Sequence, residues 1–193
     1  MGRRDRWIRF GIVYMIDASA SFVEFDVDSA PFDDLRRACD HWLERRGDRF
    51  APAWSDIDLL ALPPAVIPRV CVVDVIDDAP ARDFVYRFWG TAITDMHDMD
   101  LTGRSVRQVP PTDYAECLVT QYGRVVDGRR PMGFLNGFEN DRGFRSEYAV
   151  MRAPLSSDGD RVDGVFSAET YGQDARQLHE FFQNFAASGA RPT

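Results

Sequence analysis

The sequence predicts an α+β domain: a five-stranded antiparallel sheet with helices on one face, flanked by further helices at its N- and C-terminal sides. Three observations carry this. Residues 70–76 (VCVVDVI) and 83–89 (DFVYRFW) are β-branched and aromatic runs joined by the acidic, proline-containing turn DDAPAR, which makes a hairpin. A helical segment of about Tyr114 to Val126 crosses between the second and third strands. Three more strands, 131–138, 144–155 and 162–171, are divided by the turn sequences NDRG and SSDGD.

Taken in chain order, residues 7–16 and 22–27 are β-rich and can form a hairpin, although nothing in the sequence says what it would pair with. The division of the chain that follows is 1–28 as an N-terminal extension, 29–173 as the domain with its leading helix, and 174–193 as a C-terminal helix and tail. Ser29 and Pro31 open the leading helix, over about 32–46. Asp33 and Asp34 sit in its first turn, Arg45 and Arg46 in its last, and Gly47 stops it, the polarity that the helix dipole favours. Phe32, Leu35, Cys39, Trp42 and Leu43 form its apolar stripe. Residues 50–68 are a proline-punctuated connection with a short turn near 56–61. After the hairpin, Thr91 is placed to cap a short helix, Ala92–Met96. Thr112 and Asp113, after Pro110-Pro111, start the crossing helix, and Asp127-Gly128 ends it. Leu178, Phe181, Phe182 and Phe185 give the last helix one aromatic face.

The 193 residues suffice for one domain of ordinary size, and a net charge of −8 argues against a nucleic-acid binder or a protein that docks on anionic lipid. The three cysteines, Cys39, Cys71 and Cys117, are odd in number and widely spaced, so neither a disulfide framework nor a zinc knuckle is indicated, and a cytoplasmic location follows. Arg3, Arg4 and Arg6 before WIRFGIVYMI, with Ala18-Ser19-Ala20 after it, outline an export signal. Arg9 interrupts that apolar region and Asp17 adjoins the cleavage point, so a strand or a tail is the better reading.

Four motifs in order carry a family resemblance: HWLERRGDRFAPAWSDID, an opening helix with its following stretch; FVYRFWGT, a strand end; DLTGRSV, a turn; and APLSSDG, a hairpin. From Ala38 to Tyr171, about two-thirds of the chain, this order resembles a bacterial PAS-like family of small proteins. The resemblance implies a PAS fold and a role in sensing or regulation; it supplies no ligand and no catalytic residues. It also implies that the end of the second hairpin strand faces a pocket.

Candidate site residues come from the hairpin. With Asp74 opposite Arg87, alternation puts Val72, Asp74, Val85, Arg87 and Trp89 on one face. Cys71, Val73, Val75, Phe84, Tyr86 and Phe88 take the other, an apolar set that helix 32–46 or a second copy of the chain could cover. In the functional reading Arg87 binds an anionic or carbonyl group through its forked donors, Trp89 stacks on the ligand, and Tyr148 reaches the pocket with its polar tip. The competing reading pairs Arg87 with Asp74 or Glu147 in the sheet, because buried charges need partners. His97-Asp98-Met99-Asp100 lacks a second histidine at ligand spacing and reads as a helix end. No residue pattern indicates haem, flavin or metal, so the cofactor stays open. Gly90-Thr91 and Thr102-Gly103-Arg104 lack the lysine and glycine run of a phosphate loop.

The expected function is a cytoplasmic, non-enzymatic PAS-like module that senses a small molecule. With no fused output domain, it acts through a homodimer or a separate output protein, without nucleic acid or membrane as partner. Two alternatives stand beside it. One is an enzyme on an α+β cone using Asp74 with His97 or Tyr148 as acid and base. The other is a structural interaction protein with a filled core.

Overall fold

The computed structural model describes residues 13–16, 20–29, 31–77, 81–97, 99–139 and 145–170. The C-terminal helix expected over 174–193 lies outside them, as does most of the stretch with export-signal character. Seven strands form one antiparallel sheet: β1 (Val13–Ile16), β2 (Ala20–Phe25), β3 (Val70–Ile76), β4 (Asp83–Trp89), β5 (Met132–Glu139), β6 (Arg145–Leu155) and β7 (Gly164–Thr170). Their spatial order is β1-β2-β5-β6-β7-β3-β4. The five expected strands are β3 to β7. The N-terminal hairpin finds its partner in β5, with Phe22 opposite Asn136, and so widens the sheet by two strands.

Three helices flank the sheet: α1 (Asp33–Arg46), α2 (Thr91–His97) and α3 (Thr112–Gly128). The acid-first, base-last pattern of α1 is present, and Gly47 ends it at φ +56°, a left-handed conformation that glycine adopts without steric penalty. Gly128 remains helical at the end of α3, and Arg129 takes the left-handed position, its N–H donating to the Val125 carbonyl. Thr91 is the first residue of α2 rather than its cap; the Gly90 carbonyl accepts from the N–H groups of Ile93 and Thr94. Gly90 cannot carry a side chain, because a Cβ there would lie 2.2 Å from the Pro68 carbonyl oxygen.

Because side chains alternate along each strand, the sheet supports two cores. On the outer face, Val70 and Val72 of β3, Leu135 of β5, Ala149, Met151, Ala153 and Leu155 of β6, and Phe166 and Ala168 of β7 pack under α1. Leu35, Ala38, Cys39 and Trp42 fill that layer from the helix side. The Trp42 indole donates to the Pro154 carbonyl at 2.7 Å. On the inner face, Cys71, Val73, Phe84, Tyr86, Phe134, Tyr148, Val150 and Val165 pack under α3, which contributes Tyr114, Leu118, Tyr122 and Val125.

This assignment corrects one expectation. The apolar set Cys71, Val73, Phe84 and Tyr86 is covered by α3, rather than by either expected cover, a second copy of the chain or α1, which lies on the opposite face. Both helices are amphipathic, so the pattern alone does not select a face. The positions of their apolar stripes against odd- or even-numbered strand residues do.

Candidate functional site

Arg152 organises the inner face. It lies mid-strand in β6, in the run AVMRAPL, and alternation turns it to the same side as Tyr148 and Val150. Only 1% of it is exposed. Its Nε donates to Gln121 Oε1 of α3 at 3.1 Å, and its Nη1 donates to Ser167 Oγ of β7 at 2.9 Å. The guanidinium carbon sits 4.2 Å from the centroid of the Tyr122 ring, within cation–π range. Gln121 passes the network on by donating its amide to Asn136 Oδ1 of β5. Among the described residues none of these direct partners of Arg152 is a carboxylate.

The nearest acid on this face is Glu169, which follows Ser167 by two residues on β7 and is 6% exposed. Burial pushes its carboxyl up to about 7, against the pull of Arg152 and, less strongly, Arg69. Its Oε2 has no hydrogen-bond partner. Two more buried polar atoms on this face are equally unpartnered: Asn136 Nδ2 and Trp89 Nε1. Buried polar groups are nearly always paired, so these three call for an explanation, as do His41 Nε2, Arg45 Nε and Arg46 Nε on α1, which are likewise unpartnered.

An aromatic wall closes the α2 side. Trp89 meets Tyr86 edge-on at 4.5 Å and packs on His97 at 5.6 Å; His97 stacks on Tyr114 at 6.3 Å and 20° between planes. The Tyr114 hydroxyl in turn bonds to the Tyr148 hydroxyl. Burial lowers the His97 pKa, so its ring is neutral near pH 7. Burial raises the phenols of Tyr86, Tyr114, Tyr122 and Tyr148, which stay protonated donors. Cys71, with its sulfur 3.7 Å from the Tyr122 hydroxyl, is pushed up to about 11 by burial and is a poor nucleophile. Among the described residues no group of three metal-ligating side chains gathers.

Of the four residues singled out from sequence, Trp89 and Tyr148 lie on this inner face, while Asp74 and Arg87 lie on the other. Arg87 Nε donates to Asp74 Oδ1 at 2.6 Å, and the Arg87 side chain is 51% exposed. The expected wall shared by Arg87 and Trp89 is therefore not formed. The reason is a β-bulge. Val72 pairs with Phe88 and Val73 with Tyr86, which leaves Arg87 as the extra residue of β4. One added residue reverses the alternation beyond it, so Trp89 turns inward with Tyr86 and Phe84. Asp74 alternates with the inward Val73 and so faces away from His97 and Tyr148, which leaves the acid and base of the enzyme alternative on opposite faces of the sheet.

Sequence reasoning missed Arg152, Gln121, Asn136, Ser167 and Glu169. A signal was present for two of them. Arg152 is a charge at a buried-face position of an otherwise apolar strand, and Gln121 interrupts the apolar stripe of α3 beside Tyr122. Recognising that the two face each other requires the strand order.

No helix among the described residues is long and apolar enough to cross a membrane. A search of curated proteins returned no match. Among solved structures, the chain is similar to the PAS domain of Bordetella pertussis BvgS, with 12% identity, 63% of this chain and 89% of that chain covered, and a TM-score of 0.45. It is similar to an RNA-binding Light-Oxygen-Voltage receptor at 14% identity, 61% and 33% coverage and a TM-score of 0.43, so it spans about a third of that receptor. A Rhodobacter sphaeroides LOV protein aligns at 11% identity, 64% and 75% coverage and a TM-score of 0.42. The sequence profile of the PAS domain matches residues 32–168, from Phe32 just before α1 to Ala168 in β7, and on that match the chain belongs to the PAS domain family.

Proposed function

We propose that this chain is a sensory PAS domain that binds a small molecule on the inner face of its sheet and relays occupancy through a second copy of itself or a separate output protein. The observation that carries the reading is the set of unpartnered, buried polar atoms at Trp89, Asn136 and Glu169 around the Arg152 network. A core built only for packing has no use for them, since each orphaned group destabilises the fold by about 1–3 kcal/mol. Trp89 and Tyr148 belong to the binding face in this reading. Asp74 and Arg87 form an outer ion pair and contribute to the surface. Three free, buried thiols fit a reducing compartment such as the cytoplasm.

Native mass spectrometry of the full chain as purified tests the reading. A co-purifying small molecule, displaced on unfolding, is the expected result. A bare polypeptide whose melting temperature no metabolite fraction shifts would favour a filled core and a purely structural role.

A further inference from the structure

We propose that the ligand of this site is a small carboxylate, received by Arg152 and the unpartnered N–H donors of the inner face. The inference rests on the sensing reading above and names the chemical class it leaves open.

The first argument is charge. Arg152 is a permanent cation, fully enclosed, whose direct partners are an amide oxygen, a hydroxyl and an aromatic face. A buried charge without a counter-charge in contact is costly, and an anion placed beside it removes that cost. Glu169 lies nearby on β7 but makes no ion pair with Arg152, and its oxygen is unpartnered. The fork of a guanidinium matches the two oxygens of a carboxylate.

The second argument is a count of donors against acceptors. A guanidinium has five N–H groups, and Arg152 uses Nε and one on Nη1. Asn136 Nδ2 and Trp89 Nε1 are unpartnered donors. What the face lacks is acceptors. Glu169 offers the one orphan acceptor, and an anion beside it favours its protonated form, which donates.

The third argument is placement. Across the sheet, Arg152 pairs with Ser167, Ser167 with Cys71, and Cys71 with Trp89, so the cation and the indole stand at two ends of one row. The wall of Trp89, His97 and Tyr114 beside that row suits an apolar or aromatic remainder on the acid.

The test compares acids with their uncharged isosteres: acetate, succinate and benzoate against acetamide, succinamide and benzamide, titrated into the full chain at pH 7 and read by thermal melting and calorimetry. At least one acid is expected to raise the melting temperature while its amide does not. Arg152→Gln should weaken that acid about tenfold to a hundredfold, the equivalent of one charge-assisted bond. Should Arg152→Gln fail to fold, Asn136→Asp replaces a donor with a like charge and should abolish the response to the acid. Amides that match their acids, or an acid bound equally by the variant, would overturn the carboxylate assignment. A neutral molecule found by native mass spectrometry would overturn it too, while leaving the sensing reading intact. No bound molecule and no shift with any probe would remove both.

Discussion

The two faces of one sheet differ in kind. Beneath α1, the Trp42 indole reaches the Pro154 carbonyl, and the buried cation Arg69 holds a carboxylate, Asp34 at 2.6 Å, with the Ala65 carbonyl at 2.8 Å and Thr170 Oγ1 at 3.4 Å, while His41 Nε2, Arg45 Nε and Arg46 Nε on the helix have no hydrogen-bond partner. Beneath α3, the same strands present Arg152, Asn136, Ser167 and Glu169 among tyrosines, with three polar atoms unmatched. Unpartnered polar atoms occur on both sides, so what distinguishes the layers is how the buried cation is met: Arg69 by a carboxylate, Arg152 by neutral groups. In the proposed reading, the inner cation awaits an anion that the chain does not supply. Arg69, which ties α1 to the sheet through Asp34, also pulls the Glu169 carboxyl downward, against its burial.

Substitutions break this contrast in a graded order. Trp42→Ala, on the outer face, removes a fully buried ring and its bond and should lower unfolding free energy by about 3–5 kcal/mol in urea titration, with ligand response unchanged in the folded fraction. Next is Glu169→Gln. The folded carboxyl titrates at about 7 against an ordinary 4.5, so the folded state binds the extra proton between those values. Stability from this group is therefore complete below pH 4.5, falls as pH rises through the window, and is flat above 7. The glutamine variant should gain up to ~3 kcal/mol over the parent at pH 8 and nothing at pH 4. His41 and His97, both lowered by burial, contribute the opposite slope below about pH 6.5 in parent and variant alike, and so cancel from the difference. A pH-independent difference would contradict the buried, unpaired acid.

Gln121→Leu should be milder, destabilising by about 1–3 kcal/mol, because Arg152 Nε and Asn136 Oδ1 each lose their partner. If the site takes an anion, saturating acetate or benzoate should recover part of that loss. Arg87→Ala gives the smallest effect. Its pair with Asp74 is largely in water, so a change of under about 1 kcal/mol is expected, with no effect on ligand binding. A strong binding defect in that variant would return the site to the outer face.

Much of the fold was legible from local signals. The hairpin of β3 and β4, the turns that separate β5, β6 and β7, and the charge polarity of α1 each depend on residues close in sequence. The N-terminal hairpin was legible as strands but not as part of the sheet, because its partner β5 lies more than a hundred residues away. The site was legible in part. Trp89 and Tyr148 do lie on the inner face, whereas Asp74 stands opposite Val85 rather than Arg87, and the two charges meet as a diagonal ion pair. The face assignment failed for Phe88 and Trp89, beyond Arg87, where a bulge that no sequence pattern marks shifts the alternation by one residue.

By itself, the sequence determined the order of helices and strands, the strand pairing within the 70–89 hairpin, and the family, since periodicity and turn chemistry act over a few residues. Only the tertiary structure decided which helix covers which face and which polar groups meet inside. Arg152, Gln121, Ser167, Asn136 and Glu169 come from α3 and three strands, and their chemistry exists through proximity that no local interaction encodes.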